Sequence, residues 1–245
     1  MIETITSTQA NTTKKLAKKI KDIFKKDKGL DEKMHLISSE IKTFGIQGVS
    51  ALISEILSNK ELLPQISSLA YFHKNGFCKI PIINDESFTL RLHVWNKGIV
   101  SNETLHDHRW HLASTIVLGK LTSEIWEETS SESAIACDEY VYTDKFTKPN
   151  FRGKVLVAHK ETILRNTGDT YTMNPKQLHR IIKSDSSMVI TLMCHSFPVR
   201  EKCRNIIVNE VVPCVYPKYI KKDEFSDFLN NVLREVYESI NRNKI

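Results

Sequence analysis

The sequence contains no apolar run approaching the ~20 residues a helix needs to cross a bilayer, so no membrane span is expected. Its opening, MIETITSTQANTTKK, has neither an apolar core nor a small-residue cleavage site, and no secretory signal is expected. No C-x-x-C pair occurs. The five cysteines, at 78, 137, 194, 203 and 214, are odd in number and scattered, which suits reduced thiols in a cytoplasm. Internal repeats, low-complexity tracts and a linker are all missing, so one compact unit is expected. Broadly spread positive charge is missing too. The net charge of +6 is matched by residues 14–28, KKLAKKIKDIFKKDK, whose eight lysines and two aspartates leave the rest of the chain neutral. A general nucleic-acid binder distributes its charge over a docking face, so no nucleic-acid partner is expected.

What is present is the material of a globular domain. At 40% hydrophobic and 26% charged residues over 245 positions, the chain can bury one sizeable core. Hydrophobic periodicity divides it into three zones. Residues 1–76 read as a helical extension. Leu16, Ile20, Ile23 and Phe24 form a stripe beneath a solvated lysine face, and Leu30, Met34, Ile37 and Ile41 follow at helical spacing. Val49, Leu52, Ile53, Ile56 and Leu57 repeat the pattern before Pro64 interrupts it. Residues 77–216 shift to period two, with strands expected at 87–95, 112–118, 122–128, 154–160 and 187–194. Residues 217–245 return to a helix through Phe225, Phe228, Leu229, Val232, Leu233, Val236 and Ile240. The fold class is therefore mainly β, a β core flanked by an N-terminal helical segment and a C-terminal amphipathic helix.

The chemistry concentrates in LHDHRWHLASTIVLGKL, residues 105–121. Strand side chains alternate faces, so His106, His108 and Trp110 share one face while Asp107 and His111 have the other parity. Two imidazoles one pleat apart can bind one ion, and a third ligand has to come from elsewhere. His179, in GDTYTMNPKQLHRII (168–182), follows the turn signals Gly168, Asp169 and Asn174-Pro175 and enters an apolar segment. Three neutral imidazoles leave coordination positions open, as catalysis requires. Ligand type alone suits iron, zinc, copper and nickel alike.

An H-x-H pair before a strand and a glycine, followed by Gly…Pro…His, resembles the cupins, jelly-roll β barrels in which such histidines converge. Trp95, LHDH, GKL at 119–121, LHR at 178–180 and SFPV at 196–199 resemble the cysteine dioxygenase type, the thiol dioxygenases, over roughly residues 77–199. That resemblance implies iron(II) held by His106, His108 and His179, with dioxygen and a small polar substrate such as an amino acid or thiol derivative as partners. The cupin glutamate position falls at Leu112 and Ala113, which implies a shell of imidazoles only. At the family's cross-linked cysteine and tyrosine positions the chain has Leu112 or Ala113 and His195, so no cross-link forms there. His195 either supplies a hydrogen bond or proton near bound dioxygen or marks the exposed end of a strand.

The strand SFTLRLHVW has one apolar parity, Phe88, Leu90, Leu92 and Val94, and one mixed parity, Thr89, Arg91, His93 and Trp95. The second set fits either a solvated outer face or a barrel interior lined for a polar ligand. The resemblance places Trp95 in the pocket, with Arg91 and His93 beside it. Arg91 could clamp a carboxylate through two hydrogen bonds, and Lys79 is the alternative point charge. Besides an oxygenase, the residues admit a redox-neutral isomerase, epimerase or lyase using zinc, nickel or manganese, or a non-catalytic binding module.

Overall fold

A computed structural model describes residues 11–73, 75–143, 149–183, 187–208 and 218–242; the first ten residues, Cys214 and the expected boundary at 216 and 217 lie outside the described residues. Three helices come first: α1 (Asn11–Phe24), α2 (Leu30–Ser58) and α3 (Leu62–Leu69). Strands follow as β1 (Tyr71–Phe72), β2 (Cys78–Asn84), β3 (Phe88–Trp95), β4 (Ser101–Asn102), β5 (Leu105–His106), β6 (Leu112–Leu118) and β7 (Lys120–Glu128). The chain continues through β8 (Ile135–Tyr142), β9 (Asn150–Asn166), β10 (Thr170–Met173), β11 (Leu178–Lys183), β12 (Val189–Ser196), β13 (Cys203–Ile207) and β14 (Lys218–Tyr219). It ends in α4 (Lys222–Arg242). The fold is the expected mainly β architecture, two antiparallel sheets flanked by helices. Among the described residues, no helix is long and apolar enough to cross a membrane.

The first sheet runs β10-β6-β12-β3-β2-β1-β14. Its outer face is sealed by the helices. Phe88, Leu90, Leu92 and Val94 share one apolar cluster with Cys78, Ile80, Ala113, Val117, Ile190 and Leu192, and with the buried stripes of all four helices. In α1 that stripe is Leu16, Ala17, Ile20 and Ile23, and Phe24 stacks on Phe88 with ring centroids 5.7 Å apart. LASTIVL is buried at every position because helices cover one face and the barrel interior the other.

Two local details depart from the periodicity. Helix α2 is broken at Gly45 (φ 51°, ψ −158°), a left-handed conformation open to glycine without a Cβ penalty, so the 30–58 pattern is two helices in series. Pro64 does not end a helix; it lies in the first turn of α3, where no intrahelical acceptor exists for its missing N–H. The Asn59 side-chain oxygen caps that turn, accepting the N–H groups of Glu61 and Leu62 at 3.0 Å each.

The second sheet runs β4-β11-β5-β13-β8-β9-β7, and β7 also pairs with β11. That last pairing closes β5, β11, β7, β9, β8 and β13 into a ring. One face of the ring holds a small core of its own, Leu105, Trp126, Cys137, Val157, Leu178 and Ile206, one residue from each strand. The other face looks toward the first sheet, across a partly polar interior. The turn between β6 and β7 depends on Gly119 (φ 82°), where a Cβ would meet the Met188 carbonyl oxygen at 2.5 Å.

Candidate metal centre

His106 is the last residue of β5, and its antiparallel partner in β11 is His179. Directly opposed residues project on the same face, so strand pairing alone brings two imidazoles 73 positions apart into contact. Their ring centroids are 4.5 Å apart. His108 completes the group at 5.0 Å from each of the other rings. Ligand atoms of all three lie within 4.8 Å of one another.

The strand geometry expected for His108 is not what holds it, since β5 stops at His106. The following turn is pinned from outside. The His108 N–H donates to the Pro175 carbonyl at 3.2 Å. Arg200 Nη1 donates to that same carbonyl at 2.7 Å, to the His108 carbonyl at 3.2 Å and to Asp107 Oδ2 at 3.0 Å. Asp107 is completely buried and also accepts from Arg204 N–H at 2.8 Å and Arg204 Nε at 2.7 Å. The parity reading of Asp107 therefore holds: it faces away from the imidazoles and anchors the loop that carries them. His111 also points away, with Nδ1 2.7 Å from Asp31 Oδ1 of α2.

The donors suit a cation. His106 Nδ1–H donates to the Thr104 carbonyl at 2.8 Å, which leaves Nε2 with its lone pair. His108 Nε2 and His179 Nε2 face each other at 2.9 Å. Two nitrogens bound at right angles about 2.1 Å from one ion would be about 3 Å apart, so this spacing fits a shared ion. Burial, then the neighbouring imidazoles, holds His108 and His179 well below the ordinary histidine value, in the neutral form that metals require. His179 Nδ1 is buried with no hydrogen-bond partner.

One nearby group has no signal in the motif. The group of ligand atoms is imidazole only, and beside it lies Glu103, a buried carboxylate with Oε2 3.9 Å from His106 Nε2. It precedes the first histidine, whereas the cupin glutamate follows the second, so motif spacing missed it. The backbone N–H of Glu103 is bonded to Ile181 of β11 at 3.1 Å, and this cross-strand link brings it in.

The remaining candidates divide in two. Trp110 lies against His108 (5.8 Å) and stacks on His195 (4.4 Å), and the Arg91 guanidinium sits 5.6 Å from the Trp110 ring. Arg91 and His195 thus reach the centre through one indole. His195 is not an exposed strand end: it is buried, and its Nδ1–H donates to the Ser196 carbonyl at 2.8 Å. Burial and then Arg91 hold its imidazole neutral, so Nε2 keeps its lone pair. His93, Trp95 and Lys79 gather elsewhere on the same inner face. His93 contacts Phe77 (4.4 Å) and Trp95 (6.0 Å), while Lys79 lies over Tyr71 (5.6 Å). Trp95 packs with Phe77, Ile116, Leu121, Ile181 and Val189, so it fills the barrel rather than walling the metal centre. The mixed parity of β3 is an interior face.

No protein-family model matches this chain, and no curated protein is similar to it in sequence at a significant level. Solved structures do resemble it. TT1209 from Thermus thermophilus is 14% identical over 54% of this chain and 91% of its own, with a TM-score of 0.33. KdgF from a Halomonas species is 13% identical over 51% and 82%, with a TM-score of 0.31. The Cnp3 cupin domain of Schizosaccharomyces pombe is 10% identical over 49% and 60%, with a TM-score of 0.30. Nothing in these neighbours singles out the thiol dioxygenases. At this distance they add nothing to the chemistry, which stands on the geometry of His106, His108 and His179.

Proposed function

We propose that the protein is a mononuclear metalloenzyme that uses iron(II) and dioxygen to oxidise a small polar substrate, such as an amino acid or thiol derivative. The observation that carries this reading is the convergence of three imidazoles from two distant segments inside a β barrel. Iron held by His106, His108 and His179 would supply redox chemistry and open coordination positions. The chain's own residues do the rest. Arg200 and Asp107 fix the loop bearing His108, and Trp110 shields one side of the centre from water. His195 offers Nε2 as a hydrogen-bond acceptor one indole away. Buried free thiols at Cys78, Cys137, Cys194 and Cys203 support a cytoplasmic setting.

Glu103 supports a second reading. A carboxylate beside a ligand nitrogen suits proton transfer, hence an isomerase, epimerase or lyase using zinc, nickel or manganese as a Lewis acid. Tag-free protein purified without oxygen separates the two. The oxygenase reading expects one iron per chain and dioxygen uptake on adding amino acids or small thiols. Stoichiometric zinc, nickel or manganese without uptake favours the second reading. Protein with no stoichiometric metal after anaerobic reconstitution would leave a non-catalytic binding module.

A further inference from the structure

The excess positive charge of the chain is concentrated on one helix. Residues 14–28 hold eight lysines against two aspartates, and the rest of the chain is neutral. The apolar stripe of α1, Leu16, Ala17, Ile20 and Ile23, is spent on the layer beneath, so the lysines line the opposite side. At 3.6 residues per turn, Lys14, Lys18 and Lys25 fall in one row about 17 Å long, with Lys15 and Lys26 in the row beside it.

The margins of this face are neutralised. Lys19 Nζ lies 2.8 Å from Glu40 Oε2 of α2, and Lys21 Nζ lies 2.7 Å from Asp85 Oδ2 in the turn between β2 and β3. Between these margins the balance changes. Lys25 is 3.7 Å from Asp22 of its own helix, while Lys14, Lys15, Lys18 and Lys26 are exposed and meet no carboxylate among the described residues. Lys14 and Lys18 repel each other four residues apart. Lys14 and Lys15 also follow a first turn that contains no acid, where cations work against the helix dipole. These side chains add nothing to the core, so a helix kept only to cover it would be more stable with acids there.

The make-up of the face selects its partner. Segment 14–28 has no arginine, the residue that clamps phosphates and reads base edges in nucleic acids. Its one aromatic ring, Phe24, is already stacked on Phe88 rather than offered to bases. Protein interfaces are depleted in lysine as well. Clusters of about four to eight basic residues on a helix suit the diffuse negative charge of a lipid surface. The cleft of about 390 Å³ beside α1 includes Asp85 and Glu86 in its lining, which makes it unfit for a headgroup phosphate. Attraction therefore follows surface charge and not headgroup structure.

We propose that the outer face of α1 docks the protein reversibly on an anionic phospholipid surface. The helix does not insert, because its apolar side is already buried in the protein. Each lysine near the surface strengthens binding about fivefold, and salt weakens it by shortening the screening length. The docking is independent of the metal centre.

The test is sedimentation of the full chain with vesicles in about 0.1 M salt. Phosphatidylcholine vesicles are the neutral surface, and equal mixtures of it with phosphatidylserine or phosphatidylglycerol are the anionic ones. The protein is expected to bind both anionic mixtures equally, to ignore the neutral vesicles, and to dissociate in about 1 M salt. The triple variant Lys14→Gln, Lys15→Gln, Lys18→Gln keeps helix propensity and should bind about a hundredfold more weakly, with a melting temperature no lower than that of the wild type. The variant Lys120→Gln, Lys202→Gln, Lys221→Gln removes the same charge from exposed positions on other segments and should lose less than about fivefold. Equal losses in the two variants, equal binding to neutral vesicles, or no binding to the anionic mixtures overturns the proposal. So does tighter binding to a single-stranded RNA oligonucleotide than to anionic vesicles, which would make the partner a nucleic acid.

Discussion

Residues 90 to 94 of β3 show two environments one residue apart. Leu90, Leu92 and Val94 point outward into the apolar layer beneath the helices, while Arg91 and His93 point inward with buried polar atoms that lack strong partners. Backbone, strand and propensity are shared, so only the covering layer differs. Helices cover the outer face with matching apolar stripes. The inner face meets a ring of strands that brings three imidazoles with one carboxylate, Glu103, beside them. Stability therefore resides on one side of this strand and chemistry on the other.

The most severe way to break that division is at the centre. His179→Ala is expected to abolish stoichiometric metal and activity together; a variant that keeps full metal content by mass spectrometry removes His179 from the shell. Asp107→Ala comes next. It removes the fully buried carboxylate shared by two half-buried guanidiniums, of which Arg204 keeps Glu128 and Glu139, and should cost about 3 kcal/mol in urea unfolding, with weaker metal binding because the loop bearing His108 loses its anchor.

Adjacent substitutions on β3 sharpen the contrast. Leu92→Ala should cost about 2–5 kcal/mol, from lost burial plus a cavity under the helices, and leave metal content unchanged. Arg91→Met should cost less than about 1 kcal/mol or even stabilise, since an uncompensated buried charge disappears. A larger loss for Arg91→Met than for Leu92→Ala would erase the distinction between the faces.

The pH dependence of metal-free protein tests the inner face as a whole. His93, His108, His179 and His195 are all held below the ordinary value, by burial first and then by Arg91 for His93 and His195 and by neighbouring imidazoles for His108 and His179. In the unfolded chain each titrates near about 6.5. Below that pH the unfolded chain takes up protons that the folded one refuses. Stability present above about 6.5 is therefore lost as the pH falls, by up to about 1.4 kcal/mol per pH unit for each histidine. A flat profile from pH 7 to 5 in urea titrations would contradict the burial of these rings.

Much of this was legible in the chain. The 88–95 and 112–118 strands and the α1 stripe follow from period and parity; His111 does point away from His106, but across a turn rather than along one strand. Other features were not. Strand 135–142 is exposed or half-buried apart from Cys137, and in 203–207 the buried residues Cys203, Asn205 and Ile206 fall on both faces, so alternation is weak. His108 lies beyond the end of its strand, and its position comes from Arg200, 92 residues later.

Alone, the sequence determined which residues could bind a cation and which faces had to be buried, because side-chain periods of two and 3.6 are properties of the local backbone. Tertiary structure decided what those faces meet. The register that sets His179 opposite His106, the arrival of Glu103 and the isolation of Arg91 from every described acid depend on pairing between distant strands. Such pairings are selected by the packing of the whole core, and no local stretch of chain encodes them.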